Sequence, residues 1–135
     1  MRKVAFVCVG NAGRSQMATA FAERERGRRD LDVEIVTGGV DPADHVHEDV
    51  IEVLDEEGLD VGDRTPRKIE PGDVADATHI VTMGCSVEDF APDDWGGKTE
   101  TWEISHPEGD DLDPIREQRA EIEGLVEEFF DRLED

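Results

Sequence analysis

The strongest constraint on the fold is an apolar run that leads through a glycine-containing turn into a helical pattern. Residues 4–9 read Val-Ala-Phe-Val-Cys-Val, a continuous apolar stretch rich in β-branched side chains. Such a stretch is typical of a strand buried on both faces, as in a parallel sheet. A helical pattern follows over residues 15–28, with Met17 and Phe21 on its apolar face. This segment is therefore predicted to be the strand–turn–helix unit of an α/β fold.

The same alternation of strands and helices continues over residues 1–135, which we interpret as one domain. The further predicted strands are 33–37 (ended by Gly38-Gly39), 79–83 and 99–103. The further predicted helices are 47–57 (capped by Gly58), 65–70 (started by Thr65-Pro66) and one that begins at Pro114. Residues 85–97 read as a loop. The pattern predicts a doubly wound α/β domain, in which ligands bind where strand ends meet helix starts.

A loop that can bind an anion lies at the first of these junctions. It reads Cys8-Val-Gly-Asn-Ala-Gly-Arg-Ser15. Consecutive main-chain N–H groups between a strand and a helix N-terminus can curl around an anion, and glycines permit the required turns. The residues predicted to bind an oxyanion are Val9, Gly10, Asn11, Ala12, Gly13 and Arg14.

Three side chains of this loop have predicted catalytic roles. Arg14 offers a planar set of donors that matches the oxygens of a tetrahedral anion. The helix dipole, the N–H groups and Arg14 all favour negative charge, so we expect Cys8 to be a thiolate nucleophile. Ser15 can donate its hydroxyl to that sulfur. The alternative, that Cys8 is only a small buried apolar residue, does not explain the Cys-x5-Arg-Ser spacing. A Walker loop is excluded because no Gly-Lys-Ser or Gly-Lys-Thr follows.

The loop and the residues after it resemble a known superfamily. The run Cys8-x-x-Asn11-x-Gly-Arg-Ser-Gln-Met-Ala18 is similar to that of the low-molecular-weight protein tyrosine phosphatases, and Gln16-Met17-Ala18 is the form found in their thioredoxin-coupled arsenate reductase branch. The resemblance extends over residues 46–58, 81–85 and 102–107. It implies a three-layer α/β/α fold with a four-stranded parallel sheet. It also implies that the substrate is arsenate, phosphate or a phosphoester.

Cys85 lies where the reductases have their second redox cysteine. The resemblance implies that Cys8 forms an arsenate adduct, that Cys85 attacks Cys8, and that arsenite leaves as a disulfide forms. A third cysteine usually follows in that branch, but residues 86–92 contain none. The disulfide is therefore predicted to be reduced where it forms, by a thioredoxin-like protein or a small thiol. The alternative is that a small thiol resolves the adduct. A buried loop thiol is the alternative for Cys85.

His106-Pro107 stands where the family has an Asp-Pro pair, whose aspartate is the general acid of the phosphatases. Histidine can also donate a proton near neutral pH, so His106 is a candidate general acid. A surface histidine with no such role is the alternative. Nearby carboxylates, Glu108, Asp110 and Asp111, can substitute for it.

The charge is strongly negative: 36 acidic residues stand against 14 basic ones, for a formal net charge of −22. Periodic apolar residues argue against a disordered acidic chain. A halophilic source explains the charge, because molar salt shortens the Debye length to about 3 Å and screens the repulsion. We expect no nucleic-acid or membrane partner. Two cysteines and no signal sequence predict a cytoplasmic, reduced protein.

Three functions remain open from the sequence. The leading one is an arsenate reductase, the second a phosphatase acting on phosphomonoesters, and the third an oxyanion-binding or redox-sensing module without turnover. The complete absence of tyrosine argues against the phosphatases, which commonly use aromatic side chains to hold a phosphotyrosine ring. No cofactor is predicted. His45 and His47 are too few to make a metal site.

Overall fold

Four parallel strands form the centre of the protein in the order β2-β1-β3-β4. The computed structural model describes residues 2–104 and 111–134. Its strands are β1 Arg2–Cys8, β2 Val33–Gly39, β3 His79–Met83 and β4 Lys98–Thr101. All three neighbouring pairs are parallel. The α/β fold with a four-stranded parallel sheet is thereby confirmed.

Helices cover the two faces of this sheet unequally. They are α1 Arg14–Arg29, α2 Glu48–Asp55, α3 Pro71–Val74 and α4 Asp113–Glu134, with a 3-10 turn at Val87–Asp89. Helices α1, α2 and α4 share one apolar core. The opposite face is covered by the single turn of α3 and by the loop around Phe90. The loop after β3 therefore lies on the thinner side of the molecule.

Strand β1 sends alternate side chains into these two cores. Phe6 and Cys8 belong to the core under the long helices, whereas Ala5 and Val7 belong to the opposite one. All four are buried, which explains why the sequence of β1 is apolar without a period of two. This alternation also places the Cys8 side chain on the face that carries α1.

The helix expected at 65–70 is wrong. Residues 67–69 instead run beside the end of β2: Gly39 N donates to Arg67 O at 2.9 Å, and Ile69 N donates to Gly39 O at 3.0 Å. A strand-like contact uses the main-chain groups that a helix would need. The proline-first signal belongs to Pro71, which opens α3 behind a capping box between Glu70 and Asp73.

Two strand boundaries also differ from the expectation. Strand β2 does not stop before its glycines but continues through Gly38 and Gly39, which pair with Val7 and Cys8. Strand β4 ends at Thr101, two residues earlier than expected. The strand at 79–83 has the expected bounds. The two glycines therefore mark a close approach at the end of β2 and do not terminate the strand.

Ion pairs join the elements across the acidic surface. Glu56, just beyond α2, accepts hydrogen bonds from Arg116 and Arg119 of α4 at 2.7–3.2 Å. The hydrogen bond from Arg116 is the largest cause that lowers the pKa of Glu56 to about 2. Glu56 therefore stays ionised, and paired with both arginines, well into the acidic pH range. Within residues 2–104 and 111–134, no helix has the length and apolarity needed to cross a membrane.

Candidate active site

The loop after β1 lies where the strand order reverses. Cys8 pairs with Gly39 of β2 on one side and with Met83 of β3 on the other. In open α/β sheets this switch point is the usual place for a ligand, because the loops on either side diverge there and leave a crevice. The loop from Cys8 to Ser15 thus occupies the position that the strand–turn–helix pattern indicates.

Cys8 is enclosed by its own loop. The residue is 2% exposed, and its Sγ lies 2.9 Å from Ser15 Oγ. The Asn11 main-chain N–H donates to the same sulfur at 3.2 Å. A thiolate at this position would accept both hydrogen bonds.

Asn11 connects this sulfur to two distant segments. The residue is fully buried and adopts the left-handed conformation with φ 53°. Its Oδ1 accepts from the Arg67 main-chain N–H at 3.1 Å, and its Nδ2 donates to Ser15 Oγ at 2.7 Å and to Thr37 Oγ1 at 3.0 Å. A main-chain N–H can only donate, so the contact with Arg67 fixes which end of the amide is oxygen.

The orientation of this amide determines where the hydroxyl hydrogens point. Thr37 Oγ1 accepts from Asn11 and donates to Phe6 O at 2.9 Å. Ser15 Oγ also accepts from Asn11, so its single hydrogen remains to be donated to Cys8 Sγ. A directed chain of donors therefore runs from Arg67 through Asn11 and Ser15 to the sulfur.

The sequence did not identify Thr37 or the Arg67 main chain as parts of this site. In the sequence, Gln16 is only a mark of the reductase branch; in the structure it is 1% exposed and its Nε2 donates to Asn11 O at 3.0 Å. Thr37 approaches Asn11 from β2, Arg67 from the segment after α2, and Gln16 from α1. The one local signal was the glycine pair that ends β2, because it indicates a tight approach.

Gly39 supplies that approach. A Cβ built on Gly39 would lie 2.4 Å from Val9 O and 3.1 Å from Asn11 Cβ. These are atoms of the loop from Cys8 to Ser15 and cannot withdraw without moving that loop. Glycine at the end of β2 therefore allows the loop to rest directly on the sheet.

We expect Gly39→Ala to lower the free energy of unfolding by about 1–3 kcal/mol, through overpacking against the loop main chain. The matched variant is Gly124→Ala in α4, where a Cβ would meet nothing within 4 Å. That change should raise stability by about 0.5–1 kcal/mol. Chemical denaturation of both variants in high salt checks the pair, and equal effects would contradict the role assigned to Gly39.

The start of α1 is open to an anion. Gly13 occupies the N-cap position without a side-chain hydrogen bond, and the first turn contains no acidic residue. The first amide groups of a helix have no partner within the helix and carry a partial positive charge. They are thus available to a ligand bound in the loop.

Arg14 extends along the end of β3. A Cβ placed on Gly84 would lie 2.7 Å from Arg14 Nη1 and 2.9 Å from Nη2, and Gly84 has φ +83°. The same Nη1 lies 3.5 Å from Ile104 O. Glycine after β3 thus leaves room for the guanidinium, and residue 104 holds its outer edge.

An open cleft of about 620 Å³ joins Arg14 to Cys85. The residues that line it are Arg14, Gly84, Cys85, Ser86, Asp89, Thr101, Trp102, Glu103 and Ile104. Trp102 is buried, which places it in the floor of the cleft. The sequence did not identify Asp89 or Glu103 as cleft residues, because Asp89 is placed by the turn at Val87–Asp89 and Glu103 by the chain that follows β4.

Cys85 is partly exposed and lies two residues beyond Met83, the partner of Cys8. Its Sγ donates to Val7 O at 3.7 Å, and it packs with the core on the opposite face from Cys8. Both cysteines are free thiols. Burial is the largest cause that raises the pKa of Cys85 to about 11, and electrostatic interactions with Cys8 and Asp89 act in the same direction. Cys85 is therefore a protonated thiol at neutral pH.

His106 and its neighbours Glu108 and Asp110 lie outside the described residues. The prediction that His106 is a general acid therefore stays a prediction. Asp111 is exposed at the start of the next described segment. Over residues 2–104 and 111–134, no three His, Cys, Asp or Glu side chains come together as a metal site would require.

Comparisons with known proteins agree with this architecture. A family model described as low molecular weight phosphotyrosine protein phosphatase matches residues 3–135. A Halobacterium salinarum protein, provisionally named an arsenate reductase, is 50% identical over 133 residues, which cover 97% of this chain and 92% of that protein. This relative fits the halophilic source that the acidic composition indicates.

Solved structures show the same fold. An arsenate reductase from Archaeoglobus fulgidus has a TM-score of 0.77 and 32% identity, with 93% of this chain and 97% of that chain covered. A thioredoxin-dependent arsenate reductase from Corynebacterium glutamicum has a TM-score of 0.82 and 30% identity over 99% of this chain. The present chain spans 62% of the length of the Corynebacterium protein.

Proposed function

The chain belongs to the low-molecular-weight phosphotyrosine protein phosphatase family, and we propose that within it the protein is an arsenate reductase. It is an enzyme, since its relatives are named arsenate reductases and its structural neighbours are arsenate reductases and phosphatases. The observation that carries the choice of reaction is the second thiol. Cys85 lines the same cleft as Arg14, at the end of the strand that pairs with Cys8.

The first step takes place in the loop. Arsenate is held by the main-chain N–H groups of residues 9–14 and by the guanidinium of Arg14. The Cys8 thiolate attacks arsenic, an As–S bond forms, and one arsenate oxygen leaves as water after protonation. His106 is the candidate proton donor. The Ser15 hydroxyl directs its hydrogen at Cys8 Sγ and so stabilises the sulfur whenever it carries negative charge.

The second step requires Cys85. Its thiolate attacks Cys8 Sγ, an S–S bond forms, and the As–S electron pair moves to arsenic, which is reduced from As(V) to As(III) and leaves as arsenite. Cys85 packs on the opposite face of the sheet from Cys8. Because a disulfide needs Cα atoms within about 7 Å and suitably directed Cβ atoms, the residues after Gly84 have to turn toward the loop in this step.

Phosphomonoester hydrolysis is the second candidate, favoured by the family match and by a loop that suits any tetrahedral oxyanion. The two functions differ in what Cys85 does. A phosphocysteine needs only water to turn over, whereas arsenate reduction ends in a Cys8–Cys85 disulfide. The test is a side-by-side assay of arsenate and p-nitrophenyl phosphate at high salt, followed by mass spectrometry of the protein. Arsenate turnover without that disulfide would overturn the proposal.

The raised pKa of Cys85 predicts a pH dependence for the second step. With a pKa of about 11, only about one Cys85 in 10⁴ is a thiolate at pH 7. The thiolate is the nucleophile, so disulfide formation in a single turnover should accelerate about tenfold per pH unit between about pH 7 and 10. Rapid acid quench and alkylation of free thiols measure this rate. Hydrolysis of p-nitrophenyl phosphate, which does not use Cys85, should lack this dependence. A rate of disulfide formation that does not change with pH would contradict the raised pKa that burial gives Cys85.

A further inference from the structure

We propose that the Cys8–Cys85 disulfide is reduced by an external thiol that enters the cleft, attacks Cys85 Sγ and expels Cys8. The inference rests on the proposed function, because that function creates the disulfide. It specifies which sulfur receives the reductant and which kind of thiol is preferred.

No thiol of this chain can take that role, since Cys8 and Cys85 are its only cysteines. The residues after Cys85 form a short turn at Val87–Asp89, closed by a capping box between Ser86 and Asp89. The segment therefore offers neither a third sulfur nor a route that carries the disulfide elsewhere. Reduction has to take place where the disulfide forms.

Access favours attack at Cys85. Cys8 is 2% exposed, with Ser15 Oγ at 2.9 Å and Asn11 N at 3.2 Å from its sulfur. Thiol–disulfide exchange needs the attacking sulfur in line with the bond that breaks. A thiol in line with Cys8 would have to enter the oxyanion pocket enclosed by this loop, from the side on which arsenite leaves. Cys85 is the more exposed of the two and borders the open cleft.

The leaving groups favour the same direction. Exchange is faster when the departing sulfur is the better-stabilised thiolate. Cys8 departs toward an N–H and a hydroxyl that both donate to it. Cys85 would depart toward the carbonyl oxygen of Val7, 3.7 Å from its sulfur in the reduced protein, and a carbonyl oxygen repels a thiolate. The loop that binds the oxyanion thus also stabilises Cys8 as the leaving group.

The exchange balances as two successive steps. The external thiolate forms an S–S bond with Cys85, and the electron pair of the broken bond leaves on Cys8. A second thiol, either another molecule or the second cysteine of a dithiol protein, then attacks the external sulfur. Cys85 leaves as a thiolate and takes a proton. Two external thiols are oxidised to one disulfide, and the enzyme disulfide is reduced to two thiols.

The charge of the cleft selects among external thiols. Among the described residues that line it, Asp89 and Glu103 are acidic and Arg14 is the one cation, and the whole chain carries −22. A thiol with a positive group beside its sulfur is attracted, whereas one with a negative group is repelled. The preferred reductant is therefore a thiol in a neutral or cationic setting.

The first experiment locates the attack. Oxidised enzyme is prepared by one turnover with arsenate and freed of arsenic by gel filtration, and a parallel sample is oxidised with diamide. Each is mixed with 2-mercaptoethylamine, quenched in acid at increasing times, alkylated with N-ethylmaleimide and digested for mass spectrometry. We expect the mixed disulfide on Cys85 from the earliest time, in roughly tenfold excess over any on Cys8.

The outcomes separate this inference from the proposed function. A first adduct on Cys8 overturns the inference in either sample. If arsenate produces no disulfide, the proposed function fails, and the diamide sample still decides which sulfur is attacked.

The second experiment compares 2-mercaptoethylamine with 2-mercaptoethanesulfonate at equal thiolate concentration and moderate salt. The cationic thiol should reduce the disulfide several-fold faster, and added salt should narrow the gap. Asp89→Asn keeps an oxygen for the Ser86 N–H and should also reduce the rate difference between the two thiols. Asp94→Asn, an exposed residue outside the cleft lining, should not. Equal rates for the two thiols, or equal effects of the two variants, would overturn the charge selection.

Discussion

Replacing Cys85 by serine should lower multiple-turnover arsenate reduction by more than about a hundredfold, because no second thiol then remains to resolve the adduct. The first half-reaction should persist. Cys8 keeps its contacts with Ser15 and Asn11, and neither contact involves Cys85. We therefore expect Cys85→Ser to hydrolyse p-nitrophenyl phosphate at a rate within a few-fold of the unaltered enzyme. Arsenite release and p-nitrophenol release, measured on the same preparations, check both parts.

The matched control for this variant is Ser86→Ala, the next residue in the same loop. The change removes the hydroxyl that is hydrogen-bonded to Glu88 and takes part in the capping box, but the main-chain N–H of residue 86 still donates to Asp89. Ser86→Ala should therefore keep both activities. Arsenate turnover by Cys85→Ser at the rate of the unaltered enzyme, with the same dithiol protein as reductant in both assays, would contradict the proposed function. Loss of both activities in Cys85→Ser would indicate a disturbed loop, and circular dichroism and the melting temperature would reveal it.

The parts of the fold that follow from short stretches of sequence were predictable. An apolar run without alternation gave β1, and the helical spacing of apolar residues gave α1 and α4, because each signal lies within one element. The failed helix at 65–70 shows the limit. Thr65-Pro66 has the right residues for a helix start, yet the main chain of residues 67–69 pairs with Gly39, a residue far away in sequence.

The candidate site divides in the same way. The order of Cys8, Arg14 and Ser15 along the chain could be read directly, since they share one loop. The partners of Asn11 could not, because Thr37 and Arg67 reach it only when β2 and the following segment pack against the loop. The side of the sheet on which the Cys85 thiol packs also depends on tertiary structure. The positions of residues along the chain predict that Cys85 lies at the end of the third strand, but they do not predict on which face of the sheet its thiol packs.

The second large effect is expected at Asn11, whose amide sets the direction of the donor chain. In Asn11→Asp, one carboxylate oxygen still accepts from the Arg67 N–H, but the other faces Ser15 Oγ at the place of Nδ2. A carboxylate can only accept, so Ser15 has to donate its hydrogen to the aspartate and can no longer donate it to Cys8. The change also places a negative charge beside the site for a negative substrate. We expect kcat/KM for both arsenate and p-nitrophenyl phosphate to fall by about 10²–10³.

Three further variants separate this effect from a loss of backbone conformation. Aspartate tolerates the left-handed region nearly as well as asparagine, and Asn11→Gly adopts φ 53° without strain. Asn11→Gly removes the side-chain contacts but leaves Ser15 free to donate to Cys8, so it should retain more activity than Asn11→Asp while losing about 1–3 kcal/mol of stability. Thr37→Val removes one acceptor of Asn11 Nδ2, so its losses of activity and stability should be in the same direction as those of Asn11→Gly but smaller. Thr37→Ser keeps the hydroxyl and should behave like the unaltered enzyme. If Asn11→Gly is the less active of the two Asn11 variants, the buried contacts, and not the direction of the Ser15 hydrogen, are what catalysis requires of this residue.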